Sequence, residues 1–119
     1  MQSILIIINA PAYGNERMLS ALRLATALAG QELETVDLRV FMMSDAVTVA
    51  LPNQSSAQAG GGLQQMLESL VEHGVQIKLC KTCIQTRGMN DLDLISGVSI
   101  GTLPELAQWT FAADKIISF

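Results

Sequence analysis

The chain opens on an unbroken apolar run, mostly β-branched, in which Ile4, Leu5, Ile6, Ile7 and Ile8 follow Ser3. A run without polar alternation is the pattern of a strand buried on both faces, and it predicts a first strand over residues 3–9. Pro11 and Gly14 interrupt it, and Asn15 is a suitable N-cap for the next element. Met18, Leu22, Ala25 and Ala29 then recur at helical spacing, which predicts a helix over residues 16–29 that Gly30 ends. Residues 36–43 read as a second strand. Asp37 and Arg39 near its start mark it as an outer or partly exposed strand.

Residues 44–62 form a long connection containing Pro52-Asn-Gln-Ser-Ser-Ala-Gln-Ala-Gly-Gly-Gly62. That composition is flexible, and long connections of this kind are either lids or binding loops, or plain disorder. Leu63, Met66, Leu67, Leu70 and Val71 follow at i, i+3, i+4, i+7 and i+8, predicting an amphipathic helix that ends at Gly74. A third strand over residues 75–79 runs straight into Cys80. Residues 92–100 read as a turn and a short fourth strand, residues 103–113 as a helix with Pro104 in its first turn, and residues 115–119 as a final strand.

Leu103, Leu106, Ala107, Thr110 and Phe111 make the expected core stripe of that last helix. Trp109 lies about 240° around from Leu103 at 100° per residue, on the predicted outer face, either as an interface anchor or packed under a neighbouring loop. Strands alternating with helices predict right-handed crossovers and the α/β class: a three-layer α/β/α sandwich with a mainly parallel five-stranded sheet. At 119 residues the chain has the size of one domain, spanning 1–119.

Composition changes the picture in one respect. Half the residues are hydrophobic and 15% are charged, against an ordinary charged share of about 25%. So few charged side chains cannot cover a small globule, and a homo-oligomer is expected to hide the surplus apolar surface. The net charge of −4 argues against direct nucleic-acid binding, which needs a basic footprint. No run approaches the ~20 apolar residues of a membrane span, and the first residues lack the basic flank of a signal peptide. A cytoplasmic, reducing location is therefore expected, and there a permanent structural disulfide is disfavoured.

The chemistry concentrates in Lys78-Leu-Cys-Lys-Thr-Cys83. In an open parallel sheet, ligands collect beyond the carboxyl ends of the strands. Three segments reach that edge: the turn from Asn9 through Tyr13, the pair Ser44-Asp45, and Cys80. Lys78, Lys81 and Arg87 are three of the seven basic residues, and no acid occurs between His73 and Asn90. The nucleophile in sulfur chemistry is the thiolate, which neighbouring cations favour, and the same cations suit an anionic sulfur donor.

Several readings compete for these cysteines. They are inert small hydrophobes, or reactive thiols, or a dithiol with Cys-x-x-Cys spacing like that of thioredoxin. Thioredoxin motifs open a helix after the first strand of their fold, whereas this pair follows a third strand and a charged loop. Zinc needs four ligands, and the chain offers two cysteines and one histidine, so no metal is expected. No glycine-rich nucleotide fingerprint follows the first strand, and no cofactor is expected. His73, ahead of Gly74, reads as a helix-terminal cation without chemistry. Tyr13 either donates a hydrogen bond into the crevice or packs a turn; Asp45 either orients a partner or caps a turn.

Asn9-Ala-Pro-Ala-Tyr-Gly14, Arg39-Val-Phe-Met-Met-Ser-Asp-Ala-Val-Thr48, the cysteine segment with Arg87-Gly88, and Gly101-Thr-Leu-Pro-Glu-Leu-Ala-Gln-Trp109 closely resemble the YchN branch of the DsrE/DsrF-like family. The resemblance covers essentially the whole chain. It implies an α/β/α domain assembled as a hexamer, and a sulfur-relay role in which a cysteine carries sulfur as a persulfide between donor and acceptor proteins. In the relatives that serve tRNA thiolation or sulfur oxidation, the carrier cysteine follows a strand and precedes an Arg-Gly pair, with eight positions from cysteine to glycine. Cys80 to Gly88 has that spacing. The resemblance thus assigns Cys80 as the sulfur acceptor, with Lys78, Lys81 and Arg87 supporting the anion. Cys83 has a counterpart only in the YchN branch, as a resolving or second thiol.

Overall fold

The computed structural model describes residues 1–31, 35–54 and 62–119. Five strands form one sheet: β1 (Gln2–Ile8), β2 (Val36–Met42), β3 (Gln76–Cys80), β4 (Ser99–Gly101) and β5 (Lys115–Ser118). Their order is β4-β3-β2-β1-β5, and every neighbouring pair is parallel. The helices are α1 (Arg17–Ala29), α2 (Gly62–Glu72), α3 (Lys81–Thr86) and α4 (Leu103–Ala112). A 3-10 helix at Ser44–Ala50 occupies the start of the long connection. The remainder of that connection, residues 55–61, lies outside the described residues.

The apolar opening run is buried as its composition demands: Ile4, Leu5, Ile6 and Ile8 are all in the core of β1. Asn15 accepts the Arg17 N–H at 2.9 Å where α1 begins, one residue ahead of the N-cap position at Glu16, and Gly30 stands at the C-cap. Helices α1 and α2 pack against each other. From β1 to β4 the chain steps one way across the sheet, then doubles back to add β5 beside β1. Right-handed crossovers therefore put α1 and α2 on one face and α4 on the other. Phe41, Leu5, Ile6, Met18, Leu22 and Leu67 are fully enclosed, each stabilising the fold by roughly 1.5–3 kcal/mol relative to exposure.

Of the two alternatives for β2, partial exposure holds and an outer position does not: it is the middle strand, with Asp37 and Arg39 half-buried near its start. Its charges are accommodated because Arg39 pairs with Asp37 at 3.2 Å and its guanidinium lies 5.3 Å from the centre of the Trp109 ring. Trp109, expected on the outside of α4, is buried, while Leu103 and Phe111 of the supposed core stripe are exposed. Inward positions of α4 are Leu106 and Trp109. The face that α4 covers carries Arg39, Phe41 and Lys78, and cations over an indole favour Trp109 there. A ten-residue helix with apolar residues on two sides does not itself say which side is inward.

Candidate functional site

Cys80 ends β3 and serves as the N-cap of α3, where its Sγ accepts the backbone N–H of Cys83 at 3.4 Å. Both cysteines are free thiols. The pair therefore opens a helix rather than lying on a loop, and in this it is like a thioredoxin-type dithiol. Six residues with no apolar stripe carry no readable helical period, so the sequence hides α3. A second difference concerns access. The thiol expected to face an open crevice, Cys80, is only 6% exposed, whereas Cys83 is half-buried.

The other wall comes from the end of β2. Ser44 adopts φ 55°, a left-handed conformation uncommon outside glycine, and its N–H donates to Cys83 Sγ at 3.1 Å. Asp45, next in the chain, binds Arg87: Nε and Nη2 both donate to Asp45 Oδ1, at 3.0 and 2.8 Å. Nη1 of the same guanidinium donates to the Cys83 carbonyl at 3.2 Å. Arg87 thus ties the 3-10 helix to the far end of α3, and the two segments hold the Cys83 sulfur between them. Burial and the neighbouring Cys80 thiol push the Cys83 thiol above its ordinary value, against the Ser44 amide and Arg87, which pull it down. The sequence places Ser44 at this edge, but nothing in it announces a backbone donor aimed at sulfur.

Not every predicted neighbour joins this cluster. The Lys78 ammonium is engaged by Glu105 of α4 and lies 5.1 Å from the centre of the Trp109 ring. Gly101 makes this crossing practicable, because a Cβ there would come within 2.8 Å of Phe41 and 3.0 Å of the Lys78 stem. Lys81 is exposed in the first turn of α3. Asn9 is exposed, and its main-chain N–H donates to the Phe119 carbonyl at 2.8 Å. Tyr13 lines a cavity of about 350 Å³ with Gly14, Asn15, Glu16, Leu19 and Leu63, none of which belongs to the cysteine cluster. His73 hydrogen-bonds the Ser69 carbonyl just past α2, away from this chemistry.

Glu105 links this region to stability. Its hydrogen bond from Lys78, with support from the Thr102 capping box, holds its carboxyl below the usual carboxylate range. A depressed folded-state value contributes stability that is present above the unfolded value and is lost as pH falls through the folded one. Glu105→Gln is therefore expected to lower the melting temperature at about pH 7, and to lower it by less at about pH 3. Thermal melts at both values check this, and an unchanged gap on acidification would contradict it.

Among the described residues no three His, Cys, Asp or Glu side chains gather where they could share a metal ion, and no helix is long and apolar enough to cross a membrane.

The DsrE/DsrF-like family model matches residues 2–119. Protein YchN of Escherichia coli K12 is 53% identical over 119 residues, covering all of both chains. The crystal structure of the E. coli ychN protein superposes with a TM-score of 0.93, again over the full length of both. Sulfurtransferase TusD of Sodalis glossinidius is 31% identical over 130 aligned positions, covering 96% of this chain and 95% of its own length. With its parallel five-stranded α/β sheet and its motifs matched from the first strand to the last, the chain belongs to the DsrE/DsrF-like sulfur-relay family, in its YchN branch.

Proposed function

We propose that this protein carries sulfur as a persulfide on the Cys80–Cys83 pair, as a carrier or low-activity sulfurtransferase of a cytoplasmic relay. One observation carries the reading. Two thiols are in contact at the carboxyl edge of the sheet, and each sulfur accepts a backbone N–H, Cys83 N–H to Cys80 at 3.4 Å and Ser44 N–H to Cys83 at 3.1 Å. Inert cysteines need no such donors, whereas a sulfur that becomes anionic does, because a buried charge without hydrogen bonds is costly. The kinship with a sulfurtransferase supports the same reading.

The whole chain acts as one domain in this proposal, and its donor and acceptor are other proteins. Phe111 is 92% exposed and Leu103 63% exposed, with Ile116 also uncovered. Apolar side chains of this size supply a surface for a homo-oligomer, for which we propose the hexamer of the family.

The test is to mix reduced protein with a sulfane donor and weigh it. A gain of one sulfur atom that disappears in the Cys80→Ser, Cys83→Ser double variant supports the carrier, and no gain in the parent protein refutes it. A second reading, a dithiol redox protein, is favoured by the helix-opening position of the pair. It predicts instead a reversible Cys80–Cys83 disulfide that forms without any gain of sulfur.

A further inference from the structure

We infer that Cys83, not Cys80, is the thiol that first takes sulfur, with the Ser44 backbone N–H steadying the sulfur anion, and that Cys80 then receives the sulfur from it. This rests on the carrier reading above and fixes the order of events within it.

Access decides the first step. An attacking thiolate must approach the sulfur–sulfur bond of its donor from outside the protein, and Cys80 is 6% exposed while Cys83 is half-buried. Hydrogen bonding points the same way. Ser44 N–H lies 3.1 Å from Cys83 Sγ, whereas the contact to Cys80 Sγ is longer, at 3.4 Å. Ser44 holds an uncommon backbone conformation, φ 55°, and that conformation aims its N–H at Cys83. Strain of this kind persists only where the surroundings enforce it. Next to it, Arg87 joins Asp45 to the Cys83 carbonyl, which holds the two segments together around this sulfur.

The donor class is a small hydropersulfide, RS–SH. Cys83 thiolate attacks its outer sulfur; the Cys83–S bond forms, the RS–S bond breaks, and RS⁻ departs to take up a proton. Cys83 is left as the persulfide Cys83–S–SH. Cys80 then attacks the outer sulfur of that persulfide, giving Cys80–S–SH, and its proton passes to the departing Cys83 sulfur. Sulfur moves at the zero-valent level in both steps, so no outside oxidant or reductant is needed.

The two cysteines can be read separately, because Lys81 places a tryptic cut between them. Reduced full-length protein is mixed with glutathione persulfide, quenched with an alkylating agent over a time course, digested, and each peptide weighed for one extra sulfur. The expected result is an adduct on Cys83 first and on Cys80 later. Cys80→Ser should still load Cys83 and keep the sulfur there, and failure of this variant to load Cys83 counts against the order. Cys83→Ser should load Cys80 at least about tenfold more slowly, on the scale by which access and thiolate fraction set exchange rates. Sulfur arriving on Cys80 before Cys83 in the parent protein, which requires no variant to fold, overturns the order and leaves the carrier function standing. So does parent-rate loading of Cys80 in Cys83→Ser. Extra sulfur on neither cysteine of the parent protein overturns the function itself.

Discussion

Trp109→Ala is expected to destabilise the protein by about 3–5 kcal/mol, the range found when a buried large aromatic is truncated. The indole is 8% exposed, meets Phe41 edge-on at a centroid distance of 6.1 Å, and lies against two cations, Arg39 at 5.3 Å and Lys78 at 5.1 Å. Truncation would open a cavity under α4 and strip both charges of the aromatic surface they lie on. Arg39 suffers most, since its Nε is already buried among the described residues without a hydrogen-bond partner. Phe111→Ala provides the contrast. Its ring is 92% exposed, so within one subunit the change should stay within about 0.5 kcal/mol. Chemical denaturation of the two variants separates the positions. A loss at Trp109 below about 1 kcal/mol would restore the outward placement that its helical position implies.

That reversal shows what the pattern of residues can and cannot tell. Uniform apolar runs are legible because every neighbour reinforces the same answer, which is why β1 and the stripe Leu63, Leu67 and Leu70 of α2 can be read directly. The Asn15 contact at the start of α1 is legible for a similar reason: the chemistry acts within a few residues. Helix α4 is not, because its inward side is chosen by Arg39, Phe41 and Lys78 on strands distant in sequence. The site divides along the same line. Cysteine spacing and nearby basic residues point to the thiols, yet charge counted along the chain overstates Lys78, whose ammonium turns to Glu105. Conversely, the Ser44 amide becomes visible only as a backbone direction in space. Side-chain chemistry is written in residue names; backbone donors are not.

Arg87→Ala is expected to slow alkylation of Cys83 by roughly fivefold at neutral pH, and Asp45→Asn is expected to speed it. The opposite signs follow from electrostatics. Arg87 lowers the proton affinity of the Cys83 thiol, so removing its charge raises that affinity further and reduces the thiolate fraction. One nearby charge at a partly solvated site is worth on the order of 1 kcal/mol, which gives the fivefold figure. Asp45 screens that cation, since two guanidinium N–H groups converge on a single carboxylate oxygen. Asparagine keeps an oxygen acceptor for Arg87 but removes the negative charge, so more of the guanidinium's field reaches the sulfur. The ion pair by itself contributes little stability, because Asp45 is 59% exposed, and both variants should melt close to the parent protein. Rates of iodoacetamide labelling at Cys83, resolved by peptide mass and repeated at high salt, check the argument. Screening should shrink both effects. Equal slowing in the two variants, unchanged by salt, would mean that Arg87 and Asp45 act on the sulfur only as a mechanical tie between two segments.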